Sequence, residues 1–153
     1  MDIEWSTDHM YGNENEVGRA IQDSQIPREQ IFVVSKMDSR SNSYEKAQKQ
    51  IDNSLQSLNL MCIDLYLIHE PYEQSSEMWK ALEEAYQKGI LKSIGISNFF
   101  GKRFFDFIKN VKILPMVNQW ETHIYLQRKQ EQKMLNEKGI ALMSWSPLTG
   151  GRF

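Results

Sequence analysis

The chain reads as an α/β fold built on a parallel sheet, and three observations carry that reading. Short runs of strand-forming residues recur along the sequence, they are almost continuously apolar instead of alternating, and stretches of helical period separate them. A continuous apolar run suits a strand covered on both faces, as in a parallel sheet. Helices between successive strands supply the crossovers that such a sheet requires.

The elements follow in order. A first strand is expected at Asp2 to Thr7, then a helix opened by Asn13, with Glu16 at capping-box spacing and Val17, Ala20 and Ile21 as its apolar stripe. IFVVSK (Ile31 to Lys36) is the next strand. In Ser43 to Leu60 the residues Ala47, Ile51, Leu55 and Leu58 form one stripe of a helix whose other faces are polar. DLYLIH (Asp64 to His69) precedes a helix bearing Met78, Leu82 and Ala85, which Gly89 is placed to cap. SIGIS (Ser93 to Ser97) leads to a shorter helix around Phe104, Phe105 and Ile108. MVNQ (Met116 to Gln119) is followed by the polar segment Leu126 to Lys138, with Met134 and Leu135 inward and Gly139 at its end, and IALMSW (Ile140 to Trp145) is the last strand. From Ile31 onward the strand starts lie roughly 23 to 33 residues apart, the size of a βαβ unit. A doubly wound sheet with a Gly-rich phosphate loop lacks its G-x-G-x-x-G, and a closed (β/α)8 barrel takes about 250 residues.

With 153 residues, 41% apolar and 25% charged, the chain has the make-up of a single globular domain and not of a disordered, collagenous or disulfide-built one. A net charge of −2 and a mixed pattern of acids and bases argue against nucleic acid as a partner. No apolar run is long enough to span a bilayer, and MDIEWSTDH lacks the basic-then-apolar order of a signal peptide, so the expectation is a cytoplasmic protein without a membrane partner. The single cysteine, Cys62, sits in apolar sequence and is expected to be a buried thiol. No metal-ligand set is singled out.

The chemistry collects at the C-terminal ends of the strands. Lys36, His69, Asn98, Gln119 and Trp145 each stand at or just past the last apolar residue. One polar residue closing a strand is ordinarily a cap, but five in register are not what capping predicts, and in a parallel barrel these ends share the face where active sites are built. Tyr11, in the loop MYGNE, opens onto the same face. A lysine in a partly dry mouth favours a nearby phenolate and so lowers the phenol's pKa, which would make Tyr11 a general acid; a histidine beside it can hold a carbonyl oxygen. Protonating a carbonyl oxygen is half of a reduction, and the hydride for the other half has to come from a cofactor.

The segments DHMYGNENEVGRAI, FVVSK, DLYLIHEP, WKALEEAYQKGILKSIGISNF, PMVNQWETHIYLQ and GIALMSWSPLTGG resemble, in order and in spacing, the successive signatures of the aldo-keto reductase family. The resemblance covers almost the whole chain. It implies a partial (β/α)8 barrel over residues 1–153, about six of the eight βα units (approximately strands 2 to 7), and NADP(H)-dependent reduction of small carbonyl compounds of the bacterial diketo-acid or small-carbonyl type. Tyr11 would be the acid, Lys36 its pKa partner and His69 the carbonyl-orienting group. Ser97, Asn98 and Gln119 would hold the nicotinamide carboxamide, Trp145 would lie against the nicotinamide face, and Ser146, Leu148 and Gly150 would line the pyrophosphate side.

Three departures from the family pattern stand out. Where the family has an aspartate five residues before the tyrosine, this chain has Ser6; Asp8, two residues along, shares a strand face with it and is the alternative carboxylate. Where many relatives have a tryptophan after the histidine, Glu70 stands in the substrate pocket, an acid that disfavours anionic substrates. The first and eighth units and the segment that binds the adenosine 2′-phosphate have no counterpart, so the chain reads as truncated, with open sheet edges through which it would self-associate. The competing reading is a catalytically silent barrel remnant with a binding or assembly role.

Overall fold

The computed structural model describes residues 3–151; the expected start of the first strand at Asp2 lies outside them. The strands are β1 (Ile3–Ser6), β2 (Ile31–Met37), β3 (Leu65–Ile68), β4 (Ile94–Ser97), β5 (Val117–Glu121) and β6 (Ala141–Trp145). The helices that link them are α1 (Glu14–Asp23), α2 (Tyr44–Leu58), α3 (Ser75–Gln87), α4 (Gly101–Ile108) and α5 (Lys129–Glu137). The strands pair in chain order, β1 to β6, and every pair is parallel.

That order separates the two architectures left open by the βαβ spacing. A doubly wound sheet reverses its strand order part-way and places helices on both faces. Without a reversal, right-handed crossovers lay successive helices on one face, and the sheet curls round the other as a partial (β/α)8 barrel.

The two faces have different cores. Along β2, Ile31, Val33 and Met37 join the large cluster beneath the helices, with Ala47 and Ile51 of α2, Trp79 and Leu82 of α3, and Phe104 and Phe107 of α4. The alternate residues Val34, Leu65 and Leu67 form a small inner cluster, against which Val117 and Met143 pack. Gly95 lies at its centre. A Cβ there would come within 2.6 Å of both Leu67 Cδ2 and the Val117 carbonyl, so the inner space admits only glycine at that position.

Several local expectations need correction. Asn13 precedes α1 but forms no side-chain cap; its Oδ1 accepts from the Thr7 hydroxyl at 2.7 Å, and Glu16 pairs with Arg19 on the surface. The helix stripe in α4 is Phe104 with Phe107, while Phe105 faces outward. Cys62 is half-buried, because it lies in the turn before β3 and not inside the strand. At α2, Ser43 Oγ caps the helix by accepting from the Lys46 N–H, and Asn59 closes it in a left-handed conformation.

At the N-terminal end of the sheet, the carboxylate of buried Asp64 accepts from Arg28 Nη2 (2.6 Å), the Val33 N–H (2.9 Å) and Lys92 Nζ (2.7 Å), joining the starts of three neighbouring strands. Glu83 does similar work from α3, accepting from the N–H groups of Lys112 and Ile113, both at 2.8 Å. No helix among the described residues is long and apolar enough to cross a membrane.

Candidate active site

Tyr11, Lys36, His69, Glu70, Ser97, Asn98, Gln119 and Trp145 line one cavity of about 290 Å3 at the C-terminal ends of the strands. The alignment of polar strand ends in the sequence therefore corresponds to a single mouth. Inward-facing Lys36 follows Val34 by two residues on β2, and His69 extends the ladder beyond β3, its N–H donating to the Met37 carbonyl at 3.0 Å. Asn98 does the same after β4, donating to the Gln119 carbonyl at 3.0 Å, in a left-handed conformation that turns its side chain out of the strand.

Tyr11 is presented by a short 3-10 turn, His9–Tyr11. Asp8 caps it, its Oδ1 accepting from the Met10 N–H at 2.7 Å, and Gly12 leaves it at φ 68°, a conformation that glycine adopts without strain. The phenol is more than half exposed, at 57%.

Beneath it lies a charged cluster. Asp8 is fully buried, with its Oδ2 3.8 Å from Lys36 Nζ and 2.6 Å from His69 Nδ1. The contact with His69 is close but not aligned as a hydrogen bond, and both atoms are otherwise unpartnered. Asp8 is thus the carboxylate beside Lys36, while Ser6 is exposed on β1. Strand parity put both residues on the same face; the β1–β2 register, which pairs Ser6 with Val34, sets Asp8, two residues on and still extended, beside Lys36.

The electrostatics depart from expectation. Lys36 Nζ lies 5.4 Å from the centroid of the Tyr11 ring, over its face and not at its hydroxyl. The phenol's pKa is raised from its ordinary value, by burial first and then by the negative charge of Asp8, in place of the lowering expected from Lys36. Burial lowers the Lys36 pKa, against the opposing pull of Asp8.

Above the charged cluster the mouth is bridged by amide chemistry. Asn98 Nδ2 donates to Glu70 Oε1 at 2.6 Å, and Trp145 Nε1 donates to Asn98 Oδ1 at 2.9 Å. Ser97 Oγ donates to the Gln119 carbonyl at 3.1 Å. None of these links was visible in the sequence, because they join the ends of strands through space, between residues 22 to 47 apart in the chain. Ser146 and Gly150 line a second depression of about 460 Å3 with Glu121, His123, Tyr125 and Thr149, while Leu148 is exposed and lines neither cavity.

The donor set fits a nicotinamide. A flat indole, two primary amides and a serine hydroxyl are the groups that can hold an aromatic ring bearing a carboxamide. His69, whose buried Nδ1 makes no hydrogen bond, lines the same cavity, and Asp8 Oδ2 lies 2.6 Å from that nitrogen.

The Aldo/keto reductase family model matches residues 7–153. The chain belongs to the aldo/keto reductase family. It is 38% identical over 146 residues to the 9,11-endoperoxide prostaglandin H2 reductase of Trypanosoma cruzi, covering 95% of this chain and 52% of that protein. It is also 38% identical over 144 residues to the glyoxal reductase of Bacillus subtilis, covering 94% and 52%. Among solved structures, an aldo-keto reductase from a Medee basin deep-sea metagenome library superposes with a TM-score of 0.91 at 42% identity, over 95% of this chain and 54% of that one. The Bombyx mori aldo-keto reductase in complex with NADP superposes with a TM-score of 0.84 at 29% identity, over 94% and 51%. The chain thus spans about half the length of these aldo-keto reductase relatives.

Proposed function

We propose that this chain carries the carbonyl-reducing site of an NADP(H)-dependent reductase acting on small aldehydes and ketones. The observation that carries the reading is the meeting of Tyr11, Lys36 and His69 in one mouth with Asn98, Gln119 and Trp145. A bound nicotinamide dinucleotide supplies the hydride for such a reaction.

The chain's own residues do the rest. Tyr11, held protonated by its raised pKa, donates its phenolic proton to the substrate oxygen. The Lys36 ammonium over the ring face favours the phenolate left behind, and Asp8 keeps that ammonium charged in a buried position. His69 holds the carbonyl oxygen. Asn98, Gln119 and Ser97 bind the carboxamide, Trp145 covers the ring, and Ser146, Leu148 and Gly150 lie on the pyrophosphate side. Glu70 adds a negative charge at the entrance, so neutral carbonyl compounds are accepted ahead of carboxylate-bearing ones.

The test is a fluorescence titration of the 153-residue chain with NADPH, followed by turnover of an aromatic aldehyde and of its carboxylate-bearing analogue. Saturable NADPH binding and preference for the neutral aldehyde are expected. Absence of binding would sink this reading and leave the silent-remnant one.

A further inference from the structure

Asn98 has a donor end and an acceptor end, and its two neighbours differ in what they can do. The Glu70 carboxylate only accepts, and the Trp145 indole N–H only donates. Their contacts with Asn98, at 2.6 and 2.9 Å, are satisfied by one orientation of the amide; turning it over would set its carbonyl against a carboxylate and its NH2 against an N–H. Each polar atom of Asn98 keeps one further bonding position, a second N–H and a second lone pair, facing the cavity that these three residues line.

We propose that Glu70 is a positioning residue that fixes the Asn98 amide and, through it, the edge of the Trp145 indole, so that the carboxamide of a nicotinamide meets a preset donor and acceptor. The assignment rests on the reading of this cavity as the nicotinamide site. It gives Glu70 a role separate from its charge, because the relay needs an acceptor at that position and not an anion. Preorienting the amide before the ligand arrives removes an ordering cost from binding. The relay joins the loop after β3 to the ends of β4 and β6, the last two of which are not neighbours in the sheet.

The test compares Glu70→Ala with Glu70→Gln, whose carbonyl can still accept from Asn98. The indole 15N–1H signal of Trp145 is followed in the full chain without cofactor, assigned with Trp145→Phe. Trp79 serves as internal standard, since its indole donates to the Ile113 carbonyl. In Glu70→Ala the Trp145 signal should shift and its N–H should exchange about fivefold faster, the effect of losing roughly one ordinary hydrogen bond, while the Trp79 signal stays in place. Glu70→Gln should restore the signal. NADPH affinity should fall about fivefold in Glu70→Ala and less in Glu70→Gln. An unmoved Trp145 signal in Glu70→Ala overturns the relay whatever NADPH does. A moved signal with unchanged NADPH affinity, or a Glu70→Gln variant that behaves like Glu70→Ala in both readouts, overturns the positioning role. If the unmodified chain binds no NADPH, the reductase reading fails and with it the purpose assigned to the relay, while the indole signal still decides whether the relay exists.

Discussion

Two buried aspartates at opposite ends of the same sheet show how differently one side chain is used. Asp64, at the N-terminal end, is met by an arginine, a lysine and a backbone N–H, all within 2.9 Å. Asp8, at the C-terminal mouth, has one backbone N–H on Oδ1 and leaves Oδ2 between a lysine at 3.8 Å and an unaligned histidine at 2.6 Å. Burial would raise the Asp64 pKa, but Lys92, the Val33 N–H and Arg28 outweigh it and hold the carboxyl below its ordinary range. The base of the barrel spends its carboxylate on holding strands together, whereas the mouth keeps an anion whose bonding is incomplete and which acts on its neighbours through its charge.

The sharpest way to break this comparison is at Tyr11. Tyr11→Phe removes only the phenolic hydroxyl and with it the proton to be donated, so reduction of a test aldehyde should fall by roughly 100-fold or more while thermal unfolding is unmoved. Comparable turnover in the variant would remove the mouth's claim to the chemistry. At the base the opposite pattern is expected. Asp64→Asn strips the charge from a buried, fully bonded site and should cost on the order of 3 kcal/mol in urea denaturation, with NADPH affinity of the folded protein retained.

The same substitution sharpens the pH argument. Because the folded pKa of Asp64 is depressed, the stability it contributes is fully present above the unfolded carboxylate value of about 4 and is lost as pH falls through the lower folded value. Asp64→Asn should therefore flatten the acid limb of the stability profile. An unchanged acid limb would show that the loss of stability in acid comes from other carboxylates.

Asp8→Asn should act on titration. The Asp8 charge raises both the Tyr11 phenol and the Lys36 ammonium, so its removal should move both pKa values downward, seen for Tyr11 in ultraviolet absorbance against pH. A phenol that stays put would mean that burial alone sets it. The smallest effect is expected at Trp145, 38% exposed at the cavity edge, where Trp145→Ala should weaken NADPH binding by about 1 kcal/mol through loss of a stacked ring.

Much of this molecule is legible in local sequence. Ala47, Ile51 and Leu58 fall on one side of α2 because helical periodicity is a property of neighbouring residues, and all three are buried as that periodicity requires. The runs IFVVSK and DLYLIH become β2 and β3 because an apolar run of β-formers has few other ways to bury itself, whereas β6, from IALMSW, stays partly exposed. Parallel pairing then carries Lys36, His69, Asn98, Gln119 and Trp145 to one end, so their meeting in one mouth was implicit in where each run stopped.

Other features were decided by the tertiary structure, since they depend on distances between residues far apart in the chain. Equal βαβ spacing serves a doubly wound sheet and a barrel alike; the family resemblance implied the barrel, and the unreversed strand order shows it. Asp8 and Ser6 were equivalent by strand parity until the register of β1 on β2 set one of them beside Lys36. The direction of the Tyr11 shift turns on burial and on the position of a lysine over a ring face instead of at a hydroxyl, and the Glu70–Asn98–Trp145 relay turns on three strand ends meeting. Periodicity records which face a residue takes, but charge and hydrogen bonding act over a few ångströms, and that scale is set only when the sheet curls.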